Sequence, residues 1–192
     1  MKRLILASSS PRRSEVLRNA GFAFDVVPSD ADETYNVNES PPANAERIAR
    51  LKAETVARNL APADDAIVLA ADTLVIVDHE VLGKPASPDD AHAMLEKLSG
   101  KVHEVITGVA LANSAGTRSV AVHELTRVWF RPLSTDEIAA YIATGEPFDK
   151  AGAYAIQGRA SRFVTRIEGC YFNVMGLPVA LVDRLLKNWK EQ

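Results

Sequence analysis

The chain has 192 residues, 47% hydrophobic and 24% charged, enough to bury a core without a disulfide or metal staple and too apolar for intrinsic disorder. Twenty-two basic residues against 25 acidic ones leave a formal net charge of −3, so the molecule as a whole has no electrostatic hold on a nucleic acid polymer. The single cysteine, Cys170, excludes an intramolecular disulfide and a cysteine cluster for zinc, and is expected as a small core residue. The apolar run over residues 4–7 is too short for a signal-peptide core or a membrane span, so a soluble, cytoplasmic protein with no membrane partner is expected.

In chain order, residues 4–7 read as a short strand. Ser10 and Pro11 are a cap-plus-proline start for a helix over 11–20, which Gly21 stops. Residues 24–27 resemble a second strand, followed by an acidic loop with Asp30, Asp32 and Glu33. Ser40 and Pro41 open a longer helix, apolar at Ile48, Leu51 and Val56, that should end near 61–62. Residues 67–77 are apolar except at Asp72 and Thr73, the pattern of a strand covered on both faces. Ser87 and Pro88 start a helix reaching Leu98. Residues 102–112 and 118–130 flank the turn residues Asn113, Ser114, Ala115 and Gly116 as a long hairpin.

Ser134 and Glu137 then have the spacing of a capping box, opening a helix that stops at Gly145. Residues 146–158 show no periodicity, which in a well-punctuated chain marks a site more than a scaffold. A second hairpin is expected from 163–167 and 171–174 around Glu168 and Gly169, and a closing amphipathic helix over 178–190. Mixing β-α alternation with hairpins calls for an α/β fold with a mixed sheet. No repeat or linker divides the chain, so residues 1–192 read as a single domain whose halves form any lobes.

Four places could carry chemistry. At residues 7–13 a strand end, three hydroxyls (Ser8, Ser9, Ser10) and a helix N-terminus bearing Arg12 and Arg13 succeed one another. Arginines at a helix start oppose its dipole unless an anion sits there, so they suit a phosphate; the plain alternative is a capped surface helix. Asp72, inside an apolar strand, needs compensation for its desolvation and so marks a metal, a lysine partner or a catalytic base, or else a structural pair with an arginine. The acidic loop offers oxygen ligands for a hard cation. Lys52, Lys84, Lys150 and Gln157 gain meaning only if they converge on a polyphosphate. The four histidines have no ligand spacing. Phosphate-loop, dinucleotide-binding and nucleophile-elbow motifs are absent from the sequence.

Five ordered motifs resemble the Maf family of nucleoside triphosphate pyrophosphatases: Leu-Ala-Ser-Ser-Ser-Pro-Arg-Arg at 6–13, Ala-Ala-Asp-Thr at 70–73, Gly-Lys-Pro at 83–85, Asp-Lys-Ala-Gly-Ala-Tyr-Ala-Ile-Gln-Gly at 149–158 and Met-Gly-Leu-Pro at 175–178. The resemblance implies a Maf/Ham1-like (ITPase-like) mixed sheet flanked by helices, with two lobes around a deep cleft. It implies hydrolysis of a nucleoside triphosphate to monophosphate and pyrophosphate with a divalent metal, Mg²⁺ or Mn²⁺. Ala-Asp-Thr at 71–73 with Ala-Gly-Ala-Tyr-x-Ile-Gln-Gly at 151–158 is similar to the branch acting on dTTP and UTP. The 7-methyl-GTP branch instead has Ser-Asp-Gln and a Cys-Ala-Gly-Ser-Phe segment.

By the same resemblance Asp72 matches the proton acceptor, Arg12, Thr73 and Gln157 match positions tied to base selection, and Ser8, Arg13, Glu33, Lys52 and Lys84 line the cleft. The metal ligands expected from the residues themselves are Asp72 and Glu33, with Asp72 open to holding the metal, accepting the water's proton, or both. A homodimer is compatible with the resemblance. The alternative from another class is a nucleotide-binding regulator of cell division with negligible turnover, against which the buried base and the lysines argue. A nucleic-acid-binding module is disfavoured by acidity and by the lack of a basic run with interleaved aromatics.

Overall fold

The computed structural model describes residues 2–61 and 64–190. In chain order they form β1 (Arg3–Leu6), α1 (Pro11–Asn19), β2 (Asp25–Val26), α2 (Pro41–Arg58), β3 (Ala66–Val77), β4 (Glu80–Leu82), α3 (Pro88–Leu98), β5 (Val102–Asn113), β6 (Ser119–Phe130), α4 (Thr135–Ile142), β7 (Val164–Glu168), α5 (Tyr171–Val174) and α6 (Val179–Lys190). Short 3-10 turns fill the stretch between α4 and β7. The strands make one mixed sheet in the order β2-β1-β3-β5-β6-β7, with β4 paired antiparallel to the end of β3. Ile5 of β1 lies opposite Asp25 on one side and Val68 on the other, both pairings parallel, whereas β6 and β7 run antiparallel. None of the described helices is long and apolar enough to cross a membrane.

Local chemistry accounts for most boundaries. The side chains of Ser40, Ser87 and Ser134 accept the N–H groups of Ala43, Asp90 and Glu137, and Glu137 completes the capping box by returning a bond to Ser134. Ser10 stands at the N-cap of α1 without a capping bond; the Ser8 hydroxyl accepts the Ser10 N–H instead. α2 ends at Arg58, earlier than expected, and Pro62 lies outside the described residues. The second predicted hairpin is not one. Residues 164–168 do form a strand, but it pairs with β6, and residues 171–174 form the one-turn helix α5. Buried polar bonds decide this: the Thr126 hydroxyl donates to the Cys170 carbonyl and accepts the Cys170 N–H, and the Asn173 amide donates to the Val105 carbonyl and the Thr126 hydroxyl. Cys170 is accordingly half-buried.

The chain divides into two compact units, one of Met1–Asp72, Thr107–Glu124 and Gly176–Gln192 and the other of Thr73–Ile106 and Leu125–Met175. In the first, α2 packs through small residues. Ala49, Ala53 and Ala57, four apart and so on one helix face, are buried with Ala70, Ala110 and Ala112 of β3 and β5. The helix backbone comes so close that a Cβ on Gly108 would stand 2.1 Å from the Ala45 carbonyl oxygen. In the second unit, Val75, Leu95, Leu98, Ile138, Tyr141 and Phe163 belong to one core cluster, joined by Phe130 and Tyr154 in edge-on contact at 4.9 Å. His103 stands edge-on to the same two rings, 1% exposed, with Nε2 2.8 Å from the Tyr154 hydroxyl.

Gly108→Ala should destabilise the protein by about 2–3 kcal/mol, because a backbone carbonyl cannot rotate aside as a side chain does; urea denaturation measures this, and a loss under about 0.5 kcal/mol would contradict the close approach. Burial also pushes His103 down to about 3 from an ordinary 6.5. As pH falls from 6.5 towards 3, the unfolded chain takes up a proton that the native state refuses, so stability present above pH 6.5 is lost on acidification, at up to about 1.4 kcal/mol per pH unit. Replacing His103 by Gln should flatten that limb of the curve of unfolding free energy against pH, and an unchanged slope would show that His103 is not its source.

Candidate active site

The order β2-β1-β3 places β1 between two strands that follow it in the chain and lie on opposite sides. The carboxyl end of such a strand is a topological switch point, where open α/β sheets bind their ligands. Residues 7–13 occupy that end. Ser8 is buried, and Pro11 at the first position of α1 leaves a helix start with no acidic residue in its first turn. Arg13 folds back over this segment: its Nε donates to the Gly176 carbonyl at 2.9 Å and its Nη1 to the Ser8 hydroxyl at 3.3 Å. Desolvation pushes the Arg13 pKa below the ordinary arginine value; Asp72 and Glu33 oppose that push, and the neighbouring charge of Arg12 adds to it. Arg12 itself is half-buried beside it. A guanidinium stays protonated in spite of such a shift, so half-buried Arg13 stands here as a fixed positive charge.

Lys52 sits within the apolar face of α2, among the buried Ile48, Ala49, Ala53 and Val56. Its ammonium is neutralised from two places. Asp72 Oδ1 on β3 accepts from Nζ at 2.7 Å, and Glu33 Oε2 from the acidic loop lies 2.9 Å from the same nitrogen. Lys52 and Asp72 are 7% and 10% exposed at the side chain, Glu33 51%. Of the partners open for Asp72 from sequence, a lysine is found, and the charge of Asp72 also acts on Arg13. Asp30 and Asp32 have other surroundings: Asp32 Oδ1 accepts the N–H and hydroxyl of Thr34, and Asp30 is exposed.

Asn44 is the site residue that sequence reasoning missed. Fully buried at the start of α2, it donates to the carbonyls of Asn36, Glu39 and Ser40 and accepts the N–H of Asn36. Arg47, one turn on, donates to the Thr34 carbonyl and ion-pairs with Glu39. Together they fasten the chain just after Glu33 to α2. The available signal was weak: two amides, Asn36 and Asn44, bracketing a Ser-Pro helix start.

Ser8, Arg12, Arg13, Glu33, Lys52 and Asp72 therefore share the first unit. There Lys52 contacts Asp72 and Glu33, Arg13 contacts Ser8, and the charges of Asp72 and Glu33 act on Arg13. Thr73, Lys84 and Gln157 belong to the second. Thr73 follows Asp72 on β3 and is half-buried; the two-residue period of a strand turns successive side chains to opposite faces. Lys84 is exposed just beyond β4, where the Gly83 carbonyl accepts the N–H of Gly152 at 3.0 Å. Gln157 is exposed in the irregular stretch that the missing periodicity pointed to.

Among the described residues no group of three or more His, Cys, Asp or Glu is close enough to hold a metal ion. The donor set around Lys52, two carboxylates of hard oxygen, fits the way Mg²⁺ is held: by one or two protein carboxylates, with substrate phosphates and water completing its shell.

A family model described as "Maf-like protein" matches residues 3–189. Relatives named dTTP/UTP pyrophosphatase include one from Syntrophomonas wolfei, 51% identical over 94% of this chain and 94% of its own, and one from Moorella thermoacetica, 50% identical over 97% and 94%. A third, from Alkaliphilus metalliredigens, is 48% identical over 97% and 95%. The solved structure of the Staphylococcus aureus Ham1 protein aligns with 97% of this chain and 99% of its own at a TM-score of 0.53 and 14% identity, a likeness of fold. With a family model spanning nearly the whole chain and near-full-length relatives at about half identity, the chain belongs to the Maf family.

Proposed function

We propose that this chain is a nucleoside triphosphate pyrophosphatase that hydrolyses dTTP and UTP to the monophosphate and pyrophosphate, residues 1–192 acting as one Maf-like domain. The observation that carries this reading is the buried Lys52 ammonium shared by Asp72 and Glu33 beside a desolvated Arg13. Of the motif residues in that unit, Arg12, Arg13 and Lys52 are cationic and Asp72 and Glu33 anionic; the cations are of the kind that binds phosphate oxygens. The names of the relatives supply the substrates.

In this reading water attacks the α-phosphorus, the bond to the bridging oxygen breaks, and pyrophosphate leaves. Charge grows on phosphoryl oxygens as it does so, which calls for cations and donors already in position. Arg13, the backbone N–H groups at the start of α1 and the Ser8 to Ser10 hydroxyls bind phosphate oxygens; Lys52 and Lys84 neutralise the developing charge. Lys52 occupies Asp72 Oδ1, and the second carboxylate oxygen is assigned the water's proton. Asp72 and Glu33 are also the residues that would hold a divalent cation, Mg²⁺ or Mn²⁺, which when bound offsets phosphate charge. Thr73, turned to the other face of β3, serves a different part of the substrate from Asp72. With Arg12 and Gln157 it is assigned to the base, where an unpaired polar group penalises the wrong edge.

The test is a panel of ribo- and deoxyribonucleoside triphosphates assayed for pyrophosphate with Mg²⁺ or Mn²⁺. Highest kcat/KM is expected with dTTP and UTP; release from none of the panel would overturn the reading. Asp72→Asn should lower kcat by about 10²–10⁴-fold, the worth of a general base, with circular dichroism unchanged. Full turnover in that variant would remove Asp72 from the chemistry.

A further inference from the structure

Glu146 is not among the residues so far given a role, yet it organises the segment that carries Gln157. Its carboxylate stands beside that turn. The Arg159 N–H donates to both Oε1 and Oε2 at 3.1 Å. The Tyr141 hydroxyl donates to Oε1 at 2.8 Å and accepts the Ala155 N–H at 3.2 Å. One carboxylate thus holds the backbone on both sides of Gln157, directly at Arg159 and through one hydroxyl at Ala155. Within the turn, the Gly158 N–H closes on the Ala155 carbonyl at 3.0 Å.

Each support is itself fixed. Tyr141 is fully buried on α4 and edge-on to Phe163 at 5.3 Å. The Glu146 N–H donates to the Thr144 hydroxyl, and the Glu146 carbonyl accepts from Lys150 Nζ at 2.7 Å. The fit leaves no room for a side chain at residue 158: a Cβ there would lie 2.3 Å from Glu146 Oε1. Gly158 is therefore glycine because the carboxylate occupies its side-chain space, a reason distinct from backbone freedom.

We infer that Glu146 is a positioning residue for base selection, clamping residues 155–159 through Tyr141 and the Arg159 N–H so that Gln157 is presented in one orientation. This rests on the reading of Gln157 as a base-contacting residue. An ionised acceptor of several hydrogen bonds holds a turn more firmly than a neutral one, and a base-reading amide displaced by a fraction of an ångström loses its discrimination before the chemistry at phosphorus is touched.

Steady-state kinetics with dTTP, UTP and CTP on Gln157→Ala, Glu146→Gln, Glu146→Ala and the double variant Glu146→Gln/Gln157→Ala test it. Expected for Glu146→Gln is a rise in KM for dTTP and UTP of about tenfold, about the worth of one net hydrogen bond, with kcat within about twofold and a reduced preference over CTP. Glu146→Ala should do the same more strongly. Because Glu146 acts through Gln157, Glu146→Gln should have no further effect on preference once Gln157 is Ala. If Gln157→Ala changes preference and neither Glu146 variant does, the clamp is overturned while the base-contact reading stands. If Gln157→Ala leaves preference unchanged, the base-contact reading falls and the clamp with it. Additive effects in the double variant would also overturn the clamp, since Glu146 would then be acting by another route. Should Glu146→Ala fail to fold, Glu146→Gln, which keeps the volume and one acceptor, decides the matter alone.

Discussion

An ammonium buried in the apolar face of a helix has to find its neutralising charge within hydrogen-bond reach, since desolvation costs several kcal/mol per ion. Lys52 finds two such charges, Asp72 on β3 and Glu33 in the loop before α2. Three stretches of chain separated in sequence are therefore pinned at one nitrogen. The pair is weak as a source of stability, because hydrophobic residues of similar volume would do as well there. What it does is hold three charged groups in one fixed arrangement.

The charges of Asp72 and Glu33 also act on Arg13. The guanidinium bonds to Ser8 and to the Gly176 carbonyl, but desolvation still depresses it. Asn44 and Arg47 keep the Glu33 loop from drifting, so the carboxylates too are supplied by ordered backbone.

Much of the architecture was legible in the amino-acid order. The Ser-Pro starts at 40 and 87 and the capping box at 134 fixed three helices to within a residue at their amino ends, because capping is local. The apolar stretch broken only by Asp72 and Thr73 announced both β3 and a buried carboxylate in need of a partner. What sequence could not carry was non-local. Residues 171–174 carry the aromatic and β-branched side chains of a strand, but bonds from Thr126 and Asn173, separated by 47 positions, turn them into a helix. Lys52 looked like any helical lysine until α2 was laid on the sheet. Asn44 gave no sign of holding a loop together, and three-residue β4 is too short for a periodic signal. The motif residues of the family stood out by resemblance; the reasons they are held as they are came only with the contacts.

The alanines of α2 have a consequence for how this protein can change over generations. Ala49, Ala53 and Ala57 face Ala70, Ala110 and Ala112 at a helix-sheet separation with no slack, and Gly108 meets the helix backbone itself. At such positions drift is one-sided: almost every substitution enlarges the side chain, and enlargement lifts the helix from the sheet. Lys52 rides between Ala49 and Ala53 on that helix. The seam of small residues thus works as a ratchet, tying the depth of the Lys52 ammonium to positions that look like inert filler.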